Sequence, residues 1–409
     1  MMKVLQISLS DHLSAGGGSI AMYRLYNSLK NQGVDGKILA AQKSLESNDS
    51  KLINTTSKLE SLLRRVSSKF GLNDIHKISS YKLTKDPFYL WADIINFHVI
   101  HSGFFNYLAI PALTESKPAV FTLHDMWAFT GHCIYSYDCT RWKFGCGKCP
   151  YPKSYPSIQM DNTALEWKLK KWTYSNSNLT IVTPSRWLTN LAQQSILNCF
   201  PIHYIPYGID TEAYKPLDTE KCRSVLGIPT NKKVLMFGAQ SVSDRRKGSD
   251  LLLQSLSKLP ASLKSEIVVL ILGNNGDVIA KEAGIDSLYL GYVTNDRLKS
   301  MAYSAADLFI FPTRADNLPL VLQESMACGT PMISFNVGGI PDLVRPNITG
   351  YLAEPEKTDS FSEGIINLLE DNTLRSEMKK NCREIAIKEY ALDIQARKYI
   401  DIYQSRISA

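Results

Sequence analysis

The side chains best suited to chemistry stand in four groups. The first is Pro312-Thr-Arg-Ala-Asp316-Asn-Leu-Pro-Leu-Val-Leu-Gln-Glu324-Ser-Met-Ala-Cys-Gly329-Thr-Pro331. Its pattern reads as a strand ending at Pro312, a short loop carrying Asp316, and a helix from near Leu318 that presents Glu324 about two turns on. A carboxylate or ligand phosphate beside a helix start lies in the positive field of unpaired N–H groups. An ionised carboxylate such as Glu324 is acceptor-only and can receive two hydroxyls of a sugar ring. The bland alternative is a capping Asp and a surface Glu. The second group, Arg245-Arg246-Lys247-Gly248, ends a loop after Phe237-Gly-Ala239. Cations at a helix start suit a diphosphate, whose charge grows as a sugar–phosphate bond breaks; a solvated basic turn is the alternative. The third comprises His98, His101 and the pair His124-Asp125, all at the ends of expected strands. An isolated His-Asp pair is more often structural than catalytic. The fourth is Cys133, Cys139, Cys146 and Cys149, ending in a Cys-Gly-Lys-Cys-Pro knuckle. Soft ligands at this spacing suit a structural zinc, with reduced packed thiols and disulfides as open alternatives.

These groups need a frame that brings strand ends together. Lys3–Leu9 alternates apolar residues as a strand, runs into Ala15-Gly-Gly-Gly18, and is followed by a helical pattern from Ile20 to Leu29. Strand, glycine loop and helix open a nucleotide-fold unit. A lone glycine run is weak, since turns also use glycine. Further strands are expected at Lys37–Ala41, Ile94–His98, Ala119–Leu123 and Leu179–Thr183, with residues 43–90 a polar, basic helical excursion or mobile segment. A second series follows Ile205-Pro-Tyr-Gly-Ile-Asp210: strands at Val234–Gly238, Glu266–Gly273, Ser287–Gly291, Leu308–Pro312 and Met332–Phe335 alternate with helices. In such parallel sheets ligands sit beyond the carboxyl ends of strands. The expected domains are residues 1–203 with a Cys-rich insert at 131–150, residues 204–383, and a C-terminal helix over 384–409 that returns to the first domain.

With 409 residues, 44% hydrophobic and 21% charged, the chain reads as a two-domain globular protein. No window reaches the roughly 18 apolar residues of a membrane span. Val4–Leu9 is too short and too polar for a signal peptide, so a cytoplasmic location is expected. The net charge of +7 is uneven: residues 1–200 hold 22 Lys/Arg against 13 Asp/Glu. That half could meet an anionic membrane surface, a lipid phosphate or nucleic acid, or simply carry solubilising charge. The stretches around Arg64-Arg65 and Trp167–Trp172 are candidate membrane contacts, with packing against their own domain as the alternative.

The acidic segment closely resembles the signature of the family 4 retaining glycosyltransferases. Gly338-Gly-Ile-Pro-Asp342 and Thr349-Gly350-Tyr351-Leu352 stand where that family has later turns. The resemblance covers nearly the whole chain. It implies an α/β GT-B fold, with two Rossmann-like domains whose parallel sheets face a central cleft. The donor is held mainly by the second domain and the acceptor mainly by the first. By resemblance Glu324 binds the donor ribose and Asp316 faces the transferred sugar and diphosphate, with Asn317, Leu318, Pro319 and Leu320 lining the donor. Asp316 departs from the family's usual Glu by one methylene. Lys247 matches the family lysine, while Ala239 occupies the usual arginine place, so that Arg245 or Arg246 substitutes. Gly17 and Gly18 resemble the loop that approaches diphosphate or acceptor, and His124 the histidine near the transferred sugar; His98, His101 and Asp125 would touch acceptor. The Trp–Thr–Gly–Cys run up to Cys133 resembles bacterial exopolysaccharide, O-antigen and colanic-acid enzymes. The implied partners are a nucleotide-diphosphate sugar, a glycan or polyprenyl-diphosphate-linked acceptor and an anionic membrane, with no nucleic acid and no catalytic metal. An epimerase or phosphorylase-like relative, or a non-catalytic glycan- or nucleotide-binding subunit, is the alternative.

Overall fold

The computed structural model describes residues 1–11, 16–53, 57–241 and 243–408. Ala15 of the expected glycine loop and Val242 of the basic loop lie outside the described residues. Thirteen strands are present among those described: β1 Lys3–Ser10, β2 Asp35–Gln42, β3 Ser50–Leu52, β4 Ile94–His98, β5 Ala119–Thr122, β6 Leu179–Thr183, β7 Ile202–Tyr204, β8 Lys233–Ser241, β9 Ile267–Asn274, β10 Ser287–Tyr289, β11 Leu308–Phe311, β12 Met332–Phe335 and β13 Gly350–Ala353. They form two sheets, ordered β3-β2-β1-β4-β5-β6-β7 and β10-β9-β8-β11-β12-β13. Every pairing is parallel. The central strands are apolar runs buried along their length, as β4, β5, β6 and β11 show. Such strands must be covered on both faces, and the crossover helices do this. The chain divides into two compact units, Met1–Pro206 with Gln395–Ala409, and Tyr207–Ile394.

Parallel strands put all carboxyl ends at one edge of a sheet. In each sheet the order reverses once, between β1 and β4 in the first and between β8 and β11 in the second. A crevice opens at such a reversal, because the connections from the two central strands leave in opposite directions.

Three strands escaped the sequence reading. β3 and β7 have three residues each and lie at sheet edges, while Gly350–Ala353, expected as a turn, pairs with β12. The last helix also differs from expectation. In place of one helix from 384, helices Asn372–Tyr390 and Leu392–Ile407 meet at Ala391, whose backbone is extended. There the Ile209 N–H donates to the Tyr390 carbonyl at 2.7 Å and the Leu392 N–H to the Ile209 carbonyl at 3.2 Å. A long-range bridge breaks the helix where neither Pro nor Gly marks a stop.

The end of the chain completes the first unit's core. Ala396, Tyr399, Ile402 and Tyr403 pack with Val4, Leu25, Leu29, Ile94, Val120, Val182 and Ile205. Inside this cluster the Asn96 amide donates to the Tyr403 hydroxyl at 2.8 Å, Thr122 donates to Asn96 Oδ1 at 2.9 Å, and Thr122 Oγ1 lies 3.0 Å from the Tyr399 hydroxyl. Buried polar groups cost most when one partner is removed. Tyr403→Phe, which strips the Asn96 amide of its acceptor, is therefore expected to destabilise the protein by about 1–3 kcal/mol. Urea unfolding reads this directly, and an unchanged midpoint would show that the network contributes nothing.

Candidate functional site

In the second unit the crevice between β8 and β11 gathers the acidic and basic groups. The segment after β8 forms a 3-10 turn Arg245–Lys247 and then Gly248, with φ +74°, before helix Ser249–Ser257. Lys247 Nζ lies 2.6 Å and an Arg246 guanidinium nitrogen 3.1 Å from the same Asp316 oxygen. The other oxygen accepts from the Asn317 N–H at 3.1 Å. Burial alone would raise the Asp316 carboxyl, but Lys247 and Arg246 outweigh it and hold it below the usual carboxylate range. Burial likewise lowers Lys247, against the opposing pull of Asp316.

Backbone packing locks the two loops together. A Cβ on Gly248 would lie 1.9 Å from the Pro312 carbonyl oxygen, and one on Gly338, at φ +54°, 2.0 Å from that of Asp316. The Arg314 N–H donates to the Arg246 carbonyl and the Gly339 N–H to the Asp316 carbonyl. Of the two candidate arginines, Arg246 reaches Asp316; Arg245 is exposed, and its carbonyl accepts from Arg314. The helix after the acidic loop is Leu320–Ala327, with Pro319 at its N-cap. Asp316 thus stands before the helix and spends its carboxylate on two cations rather than on a cap.

Glu324 is buried on that helix. Its carboxylate oxygens lie 3.3 Å from Lys299 Nζ and 3.3 Å from the Tyr303 hydroxyl. Both partners come from helix Asp296–Ala305, one turn apart, and neither was singled out in the sequence. Asn317, Leu318 and Leu320 are buried as well.

In the first unit the crevice between β1 and β4 is lined by imidazoles instead of ions. His98 Nδ1 lies 2.9 Å from His124 Nε2, and His98 Nε2 lies 2.8 Å from Gln6 Oε1. Burial pushes His124 down to about 4, with Asp125 opposing and His101 adding to the shift. Burial and then His124 hold His98 well below the usual value. Both rings are neutral at physiological pH. With the Gln6 oxygen accepting from His98 Nε2–H, His98 Nδ1 accepts from His124 Nε2–H, which makes His124 Nδ1 an acceptor. A Cβ on Gly18 would lie 2.6 Å from Val99 and 3.3 Å from that Nδ1, so the start of helix Gly17–Asn31 touches the imidazole only because residue 18 is glycine. Gly17 has nothing within 4 Å of a built Cβ.

His101 and Asp125 form a second pair at 3.0 Å, and Asp125 also accepts from the Trp127 N–H at 2.8 Å. Burial would raise Asp125, but His101 overcomes this and lowers it. His101 Nδ1 lies 2.9 Å from the Ser102 hydroxyl, which lies 2.7 Å from that of Tyr155. Gln6 and Ser102 were missed in the sequence; Gln6 carried a signal, as a polar residue in the apolar run Val4-Leu-Gln-Ile7.

The four clustered thiols are free, and each of the three with a shifted value has its own local partner. Cys133 is pushed up to about 12 and Cys146 to about 11, in both cases chiefly by burial, and Cys149 is raised too. The Gly131 N–H donates to Cys146 Sγ at 3.3 Å, and His132 Nε2 lies 3.2 Å from Cys149 Sγ. Among the described residues no group of three or more His, Cys, Asp or Glu side chains is arranged to hold a metal ion.

Two outcomes follow from these environments. The His124 value lies below the usual 6.5, so protonation favours the unfolded chain. Stability is then complete above about pH 6.5 and falls as the pH drops toward 4, by at most about 3 kcal/mol. Urea unfolding across this range should show a shallower acid loss in His124→Gln; parallel curves would rule the buried neutral ring out. For the thiols, iodoacetamide should modify exposed Cys199 at least about tenfold faster than Cys133 and Cys146, read by mass spectrometry.

Known proteins resemble this chain in sequence and in fold. The family model described as Glycosyltransferase Family 4 matches residues 15–213, and that described as Glycosyl transferases group 1 matches residues 218–385. A D-inositol 3-phosphate glycosyltransferase of Catenulispora acidiphila is 28% identical over 218 residues, covering 48% of this chain and 52% of that protein. A lipopolysaccharide 1,2-N-acetylglucosaminetransferase of Salmonella typhimurium is 28% identical over 240 residues, covering 55% of this chain and 61% of that protein. The chain therefore spans little more than half the length of these relatives. A crystal structure of Anabaena HepE in complex with UDP-glucose superposes with a TM-score of 0.69 at 15% identity, over 99% of this chain and 100% of that one. Two parallel-sheet units with GT-B structural neighbours, and two family models that between them match most of the chain, place this protein among the family 4 glycosyltransferases.

Proposed function

We propose that the chain transfers a sugar, with retention at the anomeric carbon, from a nucleotide-diphosphate sugar to a glycan or polyprenyl-diphosphate-linked acceptor in bacterial surface polysaccharide assembly. The observation that carries this reading is buried Asp316 held by half-buried Lys247 and Arg246 at the β8/β11 crevice, with Glu324 buried on the helix that follows. A leaving diphosphate gains charge as the sugar bond breaks, and two cations already oriented by Asp316 meet that charge without reorganising. Glu324, held by Lys299 and Tyr303, keeps lone pairs for the two ribose hydroxyls. The segment Asn317–Leu320 leads into a helix whose first N–H groups favour phosphate. In the first unit, Gly17 and Gly18 supply backbone N–H groups at a helix start, and neutral His124 presents an acceptor to a hydroxyl of the reacting sugars. His101 and Asp125 serve acceptor binding. No metal is needed for charge neutralisation in this scheme.

The glycan reading draws support from the lipopolysaccharide transferase among the relatives, and the donor reading from the HepE complex with UDP-glucose. An acceptor on a polyprenyl diphosphate would bring the protein to an anionic membrane. No described helix is long and apolar enough to cross one.

Screening nucleotide sugars for thermal stabilisation identifies the donor, since a ligand bound only to the folded state raises the melting temperature. With that donor, Lys247→Ala is expected to lower kcat about 100- to 1000-fold. Glu324→Ala should weaken donor binding about tenfold or more. Unchanged transfer by both variants would overturn the donor site. Product formation that needs no acceptor alcohol would instead assign an epimerase or phosphorylase-like reaction.

A further inference from the structure

Helix Lys58–Lys69 sits the wrong way round for a helix that serves only its own domain. Leu59, Leu62, Val66 and Phe70, the last at the C-cap, are 57%, 57%, 49% and 50% exposed. Spaced i, i+3, i+7 and i+11, they form one stripe about 16 Å long. A globular domain normally turns such a stripe inward. Here the acid is turned inward instead: Glu60 is 2% exposed. It closes a capping box with Ser57, accepts from the Ser79 N–H at 2.7 Å, and lies 3.8 Å from Lys77 Nζ. Those bonds hold Glu60 below the usual carboxylate range although burial would raise it. They fix the helix in rotation, so the outward stripe is built in by the buried acid.

The charges on the exposed side have one sign. Lys58, Arg64, Arg65 and Lys69 are all exposed, and the helix contains no other acid than Glu60. Lys58, Arg65 and Lys69 flank the apolar stripe along one side, the arrangement in which long cationic side chains reach lipid phosphates while their neighbours enter the acyl boundary. The other candidate, helix Thr163–Ser175, exposes Leu165 and Trp172 but ties Trp167 and Lys170 into its own unit. The Trp167 indole donates to the Trp142 carbonyl at 2.7 Å, and Lys170, fully buried, donates to the Trp127 and Thr130 carbonyls.

We infer that the exposed face of helix Lys58–Lys69 docks the protein on an anionic lipid bilayer, with Leu59, Leu62, Val66 and Phe70 in the headgroup boundary and the flanking cations on lipid phosphates. This deepens the proposed reading of a membrane-held acceptor and rests on it for its purpose, though the contact itself is independent of turnover.

The test is co-sedimentation of the full chain with phosphatidylcholine vesicles and with phosphatidylcholine vesicles containing phosphatidylglycerol. Binding is expected only to the second, and it should weaken as salt rises. Leu62→Gln/Val66→Gln should reduce it at least about tenfold. Lys58→Gln/Arg65→Gln/Lys69→Gln should reduce it about 100-fold at low salt. Thermal melting of both variants should match the parent, because the substituted side chains lie outside the packed face. Equal binding to both vesicle types, no binding, or variants that bind like the parent would overturn the inference. So would light scattering that shows a dimer dissociated by Leu62→Gln/Val66→Gln, which would assign the stripe to a second copy. Transfer to a water-soluble acceptor should be unaffected by either variant. Vesicle binding without any transfer would sink the proposed activity alone, whereas transfer without vesicle binding would sink the docking face alone.

Discussion

The carboxylate of Asp316, buried between Lys247 and Arg246, is the contact on which the second unit's crevice depends. A carboxylate taken from water is tolerated only in good geometry with its cations, and Lys247 and Arg246, themselves half-buried, supply it. The loops that carry them cannot drift apart, because Gly248 rides on the Pro312 carbonyl and Gly338 on that of Asp316. The shorter side chain of Asp316 fits this arrangement: a close-set backbone brings a short acid to the cations. The same ion cluster fixes the positions of both cations at the crevice.

The first unit sets neutral rings beside one ionised carboxylate, Asp125. At its reversal between β1 and β4, His98 and His124 are neutral, linked to each other and to Gln6. Burial suppresses their protonation, so they offer directional acceptors and donors where the second unit offers cations. The polar cluster of Asn96, Thr122, Tyr399 and Tyr403 lies in the same unit and draws on β4 and β5, the strands that precede His98 and His124. A group that must recognise hydroxyls gains from such a setting; one that must meet a diphosphate does not.

Much of this was legible in the residues. The parallel strands announced themselves as apolar runs, and His98 and His124 stand at the polar tips after them, while Lys247 and Asp316 lie in the loops that follow β8 and β11. What escaped had physical reasons. Lys299 and Tyr303 touch Glu324 from a different helix, and nothing local in sequence signals a long-range pair. β3 and β7 are too short to show periodicity, and β13 begins at a glycine that reads as a turn. The break at Ala391 comes from a bridge to Ile209, far away in the chain. The rotation of helix Lys58–Lys69 was likewise hidden, since periodicity reveals a stripe but not which way it faces; Glu60 and its partners decide that.

The first unit is assembled from two pieces of chain, Met1–Pro206 and Gln395–Ala409, with the whole second unit threaded between them. A ribosome delivers these in order. Val4, Leu25, Ile94 and Val182 must therefore wait, with part of their apolar surface uncovered, while nearly two hundred further residues are made and the second unit has the opportunity to fold on its own. The first unit is completed only after the second has been made. Until Tyr399 and Tyr403 are in place, the first unit presents an open apolar face, and the Asn96 amide lacks its tyrosine acceptor.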